Sequence, residues 1–306
     1  METWVIITVA AAFLQNIRSA TQKHLTGSLT TLGATFVRFG FGLPFACLFM
    51  GLMHLVLQMP LPLTNKAFWV WVVIAGAMQI GAQGLLLASF SHSSFTVGTA
   101  YSRTEAVQAA LLGFVLLGDR IPLAALVAIA IAVAGVIILA VARSSLTLSG
   151  LLAALGSRAA WIGLASGAGF GLSATAYRAA SLALAPGLPE PNFLMQAGFT
   201  LLVTIAMQSL ALFAWMAFRD RGEIARIARV WKWGLLAGAS GASASFGWFM
   251  GFTLQAAAII KALAQVEMLF TYFSTIVIFR EKVTPGELLG CALIILGIVV
   301  LVLGQL

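Results

Sequence analysis

The sequence predicts an all-α integral membrane protein of ten transmembrane helices, arranged as two inverted five-helix repeats around a central cavity. Three observations predict it: a composition too apolar for water, ten long apolar runs between short polar breaks, and internal similarity at one fixed offset. Of 306 residues, 61% are hydrophobic and only 8% charged, whereas a soluble domain carries about a quarter charged residues. Mean hydropathy is +1.04. Such a chain cannot cover a soluble surface with polar groups, and it lacks the low hydrophobicity and high charge of a disordered one. The formal charge of +8 suggests nucleic acid at first sight. In a membrane protein, however, Lys and Arg gather in cytoplasmic loops, so no nucleic-acid partner is expected.

A helical crossing needs about 20 mostly apolar residues, and continuous runs without period-two alternation favour helices over a β-barrel. In order, the runs are 3–25, 29–57, 67–90, 95–117, 121–142, 157–183, 193–218, 231–253, 258–279 and 285–304. Trp69 and Trp71 open the third and Trp231 and Trp233 the eighth, as interfacial anchors do. GDRI (118–121) and REKVTP (280–285) leave room only for tight hairpins, whereas a longer polar stretch from Arg219 to Lys232 separates spans seven and eight. The first run lacks a basic n-region and ends in QNIR (15–18), unlike a secretory signal. Cys47 and Cys291 form no CxxC pair, and His24, His54 and His92 lie far apart, so neither a disulfide framework nor a metal site is predicted. No GxxxxGK[ST] phosphate loop occurs. With no nucleophile set or nucleotide motif either, no cofactor and no enzyme activity are expected.

Adding 162 to the residue number carries Trp69 and Trp71 onto Trp231 and Trp233, and Ala75-Gly76-Ala77 onto Ala237-Gly238-Ala239. It also carries Glu105 onto Glu267, Asp119-Arg120 onto Glu281-Lys282 and Gly135 onto Gly297. From 69 to 141 the register holds without a gap, with 14 identities in 73 positions. The halves 1–146 and 147–306 are therefore read as two repeats of five spans each. An odd number of spans inverts the second copy. Inverted repeats are a transporter architecture with the substrate site between the copies near mid-membrane.

The stretch TEAVQAALLGFVLLGDRIPL (104–123), echoed by VEMLFTYFSTIVIFREKVTP (266–285), resembles the drug/metabolite transporter superfamily in its ten-helix, EamA-type branch. There a Glu-Pro near mid-helix precedes an LGER-like hairpin and a helix with a late glycine. Ala106 and Met268 stand where proline is usual, and Asp119 replaces the Glu of the first hairpin. Within the branch the chain is most similar to YddG-type exporters of aromatic and other neutral amino acids. The resemblance implies a central cavity walled by spans one, three, four, six, eight and nine, with five and ten peripheral.

A charge at a helix centre costs about 2.5–3.5 kcal/mol on insertion scales, so each intramembrane charge needs a reason. Glu105 and Glu267 sit at matched positions near the centres of spans four and nine, either as substrate or proton ligands or as protonated packing clamps. In one continuous helix Tyr101, Glu105 and Gln108 would share a face. Lys261 lies one turn before Gln265, on a face with Met268 and Tyr272. It either snorkels to the interface or meets a carboxylate, from Glu105 or from a substrate. Arg103 is expected to snorkel, and Arg38, beside Gly40, Gly42 and Pro44, to have a packing or interface role in preference to ligation. Gln79 and Gln83 form an i, i+4 amide pair whose repeat partners are Gly241 and Ser245, with Trp248 following. Span six presents Ser166, Phe170, Ser173 and Tyr177 along one stripe. Hydroxyls, amides and aromatics together suit a small amphipathic solute, or else they join helices. The run GASGASAS (238–245) reads as close packing, with local unwinding as the alternative.

The predicted function is alternating-access export of small metabolites, amino acids with aromatic or apolar side chains above all, across the inner membrane. Tyr101, Phe170, Tyr177 and Trp248 would wall the apolar part, and Gln79, Gln83, Glu105, Lys261 and Glu267 would meet the charged groups. Gln108, Ser173, Ser245 and Gln265 complete the candidate set. The alternative is a proton-coupled multidrug pump for cationic or lipophilic compounds. Lipid is the second partner, protons a third if a glutamate carries them, and a monomer suffices because one chain holds both halves. Eleven basic residues fall on one side of the ten-span arrangement and three on the other. That count puts both termini outside, whereas the resemblance implies both inside.

Overall fold

A computed structural model describes residues 2–25, 28–92, 100–142, 147–270, 272 and 284–304. Among these residues there are helices and no strands. In chain order they are α1 (Thr3–Leu25), α2 (Thr31–Gly40), α3 (Leu43–Gly51), α4 (Lys66–His92), α5 (Glu105–Leu117), α6 (Leu123–Ala142) and the short α7 (Leu148–Ala153). There follow α8 (Arg158–Ala183), α9 (Phe193–Arg219), α10 (Arg221–Arg229), α11 (Trp231–Leu254), α12 (Ala257–Leu263) and α13 (Pro285–Leu303). Five stretches are long and apolar enough to cross a bilayer: Leu32–Val56, Lys66–Leu86, Leu123–Ala142, Phe193–Arg219 and Pro285–Leu303. The Arg280-Glu281-Lys282 hairpin and residues 273–279 of the ninth run lie outside the described residues.

Three of the apolar runs differ from the continuous spans that periodicity predicts. The second is split by Phe41 and Gly42, because Pro44 at the start of α3 has no N–H to continue the ladder. The fourth is interrupted at Arg103 and Thr104, immediately before Glu105, and the ninth at Ala264 and Gln265, just before Glu267. Conversely, 238–245 is uninterrupted helix within α11, as the packing reading expects. Hydropathy averaged over a span misses such breaks because the few polar residues at them are outweighed by the apolar ones on either side.

The chain divides into two compact units that cut across the halves 1–146 and 147–306. Unit 1 comprises Met1–Gly76 and Ala179–Leu254, and unit 2 comprises Ala77–Arg178 and Gln255–Leu306. In unit 1, α1 packs along α11, and α9 lies against α2, α3 and α11. Phe41 rests on the bare backbone of Gly234 and Gly238, and Phe49 stacks on Phe246 with centroids 5.5 Å apart. The amphipathic α10 closes one end. Its Glu223, 1% exposed, accepts hydrogen bonds from the Thr30 backbone N–H (2.8 Å) and hydroxyl (2.9 Å) at the start of α2. Arg226 donates to the same carboxylate at 2.6 Å, and that hydrogen bond raises the Arg226 pKa above its ordinary value. The 219–232 stretch is thus a folded connector with its own helix. Its bond to Thr30 places it at the same end as the connector between α1 and α2.

In unit 2, α6 and α13 form the tightest helix pair. They run antiparallel: Gly286 abuts Ala142, Gly135 abuts Gly290 and Ile294, Gly297 abuts Ala128 and Ala132, and Gly304 abuts Ala124. A Cβ on Gly135 would stand 2.8 Å from the Gly290 carbonyl oxygen, and one on Gly297 would stand 2.8 Å from the Ala132 nitrogen. Only small residues permit this approach. The register is self-consistent, since adding 162 carries Ala128, Ala132 and Gly135 onto Gly290, Ile294 and Gly297. Gly135→Val or Gly297→Val forces the two backbones apart and should destabilise by about 1–3 kcal/mol, as overpacking does. Gly51→Val, which meets nothing within 4 Å, should change little. Thermal unfolding in detergent separates the two outcomes.

Candidate functional site

The site is built where two helices are interrupted. Thr104 ends a helical turn at 100–102 and starts α5. Its N–H bonds back to the Tyr101 carbonyl (3.2 Å), its hydroxyl donates to the same carbonyl (2.7 Å), and the Gln108 amide donates to that hydroxyl (2.9 Å). At the second break the Ala264 N–H reaches the Ile260 carbonyl at 2.8 Å, and the Gln265 amide leans back to the Lys261 carbonyl at 3.4 Å. The new helical turn is sealed by Glu267 N–H to Ala264 O (3.0 Å) and Met268 N–H to Gln265 O (2.9 Å). Side chains and short turns thus replace the missing ladder bonds, as a water-free interior demands.

Lys261 Nζ lies 3.3 Å from Glu105 Oε2, with side chains 21% and 13% exposed. Of the two readings of Lys261, the carboxylate contact is the one formed. Glu105 is the first residue of α5 and Lys261 lies in the last turn of α12. Each charge therefore sits at the helix end whose dipole favours it. Two amide oxygens near the pair, Gln108 Oε1 and Gln265 Oε1, are buried and accept no hydrogen bond among the described residues. Buried acceptors without donors are uncommon and ask for an explanation.

Around the first break, α8 supplies close contacts. A Cβ on Gly167 would stand 2.9 Å from the Ser102 carbonyl oxygen, and one on Gly171 would stand 3.1 Å from that of Glu105. Ser166 donates to the Ala82 carbonyl (2.9 Å) and meets Ser102 Oγ at 3.2 Å, a helix-joining role. Tyr177 donates its hydroxyl to Gln79 Oε1 at 3.1 Å. The hairpin Asp119 pairs with Arg178 at 3.2 Å, and Arg178 also donates to the Gln255 carbonyl at 2.7 Å.

Of the thirteen predicted site residues, Gln79, Gln83, Tyr101, Glu105, Gln108, Phe170, Ser173, Tyr177, Lys261, Gln265 and Glu267 belong to unit 2, and Ser245 and Trp248 to unit 1. Two face assignments are corrected. The break at 103–104 takes Tyr101 off the helical face of Glu105 and Gln108, and its ring packs with Ala100, Ala160, Ile137 and Leu164. Met268 and Tyr272 pack with Val136, Leu139, Cys291 and Ile294, so the stripe drawn from Lys261 to Tyr272 does not continue past Gln265. In unit 1, Trp248 Nε1 donates to Gln15 Oε1 at 2.9 Å, and Arg38 approaches Ser245 Oγ at 3.5 Å. Sequence reasoning overlooked Asp119–Arg178, Gln15 and the placement of Arg18 beside Arg38. The signal available for the last was that both are charges inside apolar runs.

Residues 2–141 match the EamA-like transporter family. A solved protein described only as "Crystal structure of protein" is 17% identical, with a TM-score of 0.69, and the similarity covers 99% of this chain and 96% of that one. At that identity the likeness concerns the fold alone. No curated protein matches the chain in sequence. The match of residues 2–141 to a transporter family and the apolar helices point to a membrane protein.

Glu105→Gln or Lys261→Met alone leaves the partner charge poorly compensated and should cost about 2 kcal/mol, less than a fully buried pair would lose. The double variant should recover most of that loss. A cycle of melting temperatures on the four proteins checks the coupling.

Proposed function

We propose that the protein exports small metabolites across the inner membrane by alternating access, with amino acids bearing aromatic or other neutral side chains as cargo. The observation that carries the reading is the Lys261–Glu105 pair flanked by two acceptor amides that lack donors. A zwitterion matches that set. Its carboxylate takes Lys261, and its ammonium takes Glu105 with Gln108 Oε1 and Gln265 Oε1, so that cargo replaces an internal ion pair by two external ones. Gln79 and Gln83 add hydrogen-bonding amides, Phe170 and Tyr177 an apolar wall, and Ser173 and Glu267 complete the polar set. A purely cationic drug would meet Lys261 unfavourably. This disfavours the proton-coupled multidrug alternative at this pair.

The antiparallel α6–α13 contact, which maps onto itself when 162 is added, supports two inverted repeats of five spans each, 1–146 and 147–306. The helix caps support them too. Thr30 caps α2 and Asn192, 162 residues on, caps α9. Interrupted helices at matched positions are a further feature of such transporters. Because the 219–232 connector is folded and carries five of the eleven basic residues on its side, the charge rule favours that end as cytoplasmic and both termini outside.

Proteoliposomes preloaded with labelled phenylalanine, threonine or ethidium test the cargo, with and without a proton gradient. Amino acids should leave and ethidium should stay. Gln79→Ala and Gln83→Ala should each raise the apparent KM several-fold, since each removes an oriented hydrogen bond of about 1 kcal/mol. Gradient-driven ethidium efflux alone would instead establish the multidrug alternative.

A further inference from the structure

Two arginines of unit 1 converge on one glycine. Gly241 of α11 would carry a Cβ 3.3 Å from Arg18 Cδ and 3.3 Å from Arg38 Cγ, so both aliphatic stems lie on the shelf left by the missing side chain. Their depth is matched. Arg18 is seven residues before the end of α1, and Arg38 is seven residues after the start of α2. At 1.5 Å per residue both lie about 10 Å from the connector that joins these helices.

Arg38 does not run back toward that connector. The register between the helices is set by Phe41 on Gly234 and Gly238 and by Phe49 on Phe246. Arg38 precedes Phe41 by one turn, yet its side chain reaches Gly241 and approaches Ser245 at 3.5 Å, one to two turns beyond Gly238. A snorkelling arginine would do the opposite. The guanidinium is directed inward, toward the Ser245 hydroxyl.

The repeat relation supplies an independent observation. Subtracting 162 from Gly241 and Ser245 gives Gln79 and Gln83, the amide pair of the proposed cargo site. In the second copy both amides are replaced by small residues, and the space receives two charged side chains from α1 and α2. The position is polar in both copies but of opposite recognition chemistry: neutral amides in one, guanidinium forks in the other. Such forks match planar oxyanions by paired N–H donation.

We propose that Arg18 and Arg38, over Gly241 and beside Ser245, form an oxyanion site that binds a carboxylate or phosphate group. Only the identification of its ligand as transported cargo rests on the transporter reading. The carboxylate of a small solute and the phosphate of a lipid headgroup share this chemistry, and the experiment separates them.

Equilibrium binding of labelled 3-phenylpropionate, phenylalanine and phenylethylamine is measured on the purified protein in phosphatidylcholine nanodiscs, with and without phosphatidylglycerol. In a Lys261→Met background, which removes the ammonium proposed above for the cargo carboxylate, both carboxylate probes should bind saturably, and Arg18→Gln or Arg38→Gln should weaken them at least tenfold. Phenylethylamine, which lacks the carboxylate, should not respond to either change. Gly241→Ala keeps both charges but pushes on both stems, and should weaken the same two probes. It keeps the test valid if an arginine variant does not fold. Displacement of phenylpropionate by phosphatidylglycerol in the wild type would identify a headgroup phosphate as the occupant of the same site. Undiminished carboxylate binding in the folded variants, or none in the wild type in either membrane, would overturn the proposal. Intact binding with no efflux would leave the oxyanion site standing and remove the transporter reading.

Discussion

The Glu105–Lys261 ion pair joins two interrupted helices inside an apolar unit. A helix that stops in a bilayer exposes N–H and C=O groups that no water can satisfy. Here the exposed ends carry opposite partial charges, and the pair places a carboxylate at an N-terminus and an ammonium in a C-terminal turn. Thr104 and Gln265 donate to backbone carbonyls locally, and Gln108 holds the Thr104 hydroxyl. The close approach of α8 follows from this, because Gly167 and Gly171 must lie against the carbonyls of the broken segment.

The contact between α6 and α13 obeys a different rule. Alanine and glycine at successive turns let two antiparallel backbones meet, and packing density does the rest. These two helices also have the highest apolar content of the five candidate spans. Among the described residues, α1, α8 and α11 fall below the hydropathy of a membrane span through their serines, glycines and amides, and α12 is only seven residues long.

Much of the candidate site was legible because rare residues stood at matched positions of two repeats. Glu105 and Glu267, Gln79 and Gln83, and Lys261 could be singled out, since a charge or amide inside an apolar run always needs a reason. Which groups touch was not legible. Lys261 had two readings until its distance to Glu105 was known, and Asp119 gave no sign that Arg178, 59 residues later, would be its partner. Tyr101 and Tyr272 were drawn onto polar faces by extrapolating an unbroken helical phase. The turns at 103–104 and 264–265 interrupt that phase, and a reading by helical period has no means of placing them.

By itself the sequence determined the membrane class and the ends of most of the apolar runs, because burial in lipid and helix length act along the chain. Tertiary structure decided where helices stop within a run and which charges pair. It also decided that Arg18 and Arg38 share the Gly241 shelf. Those outcomes depend on backbones approaching across tens or hundreds of residues, where one missing Cβ or one carbonyl left without an N–H sets the geometry.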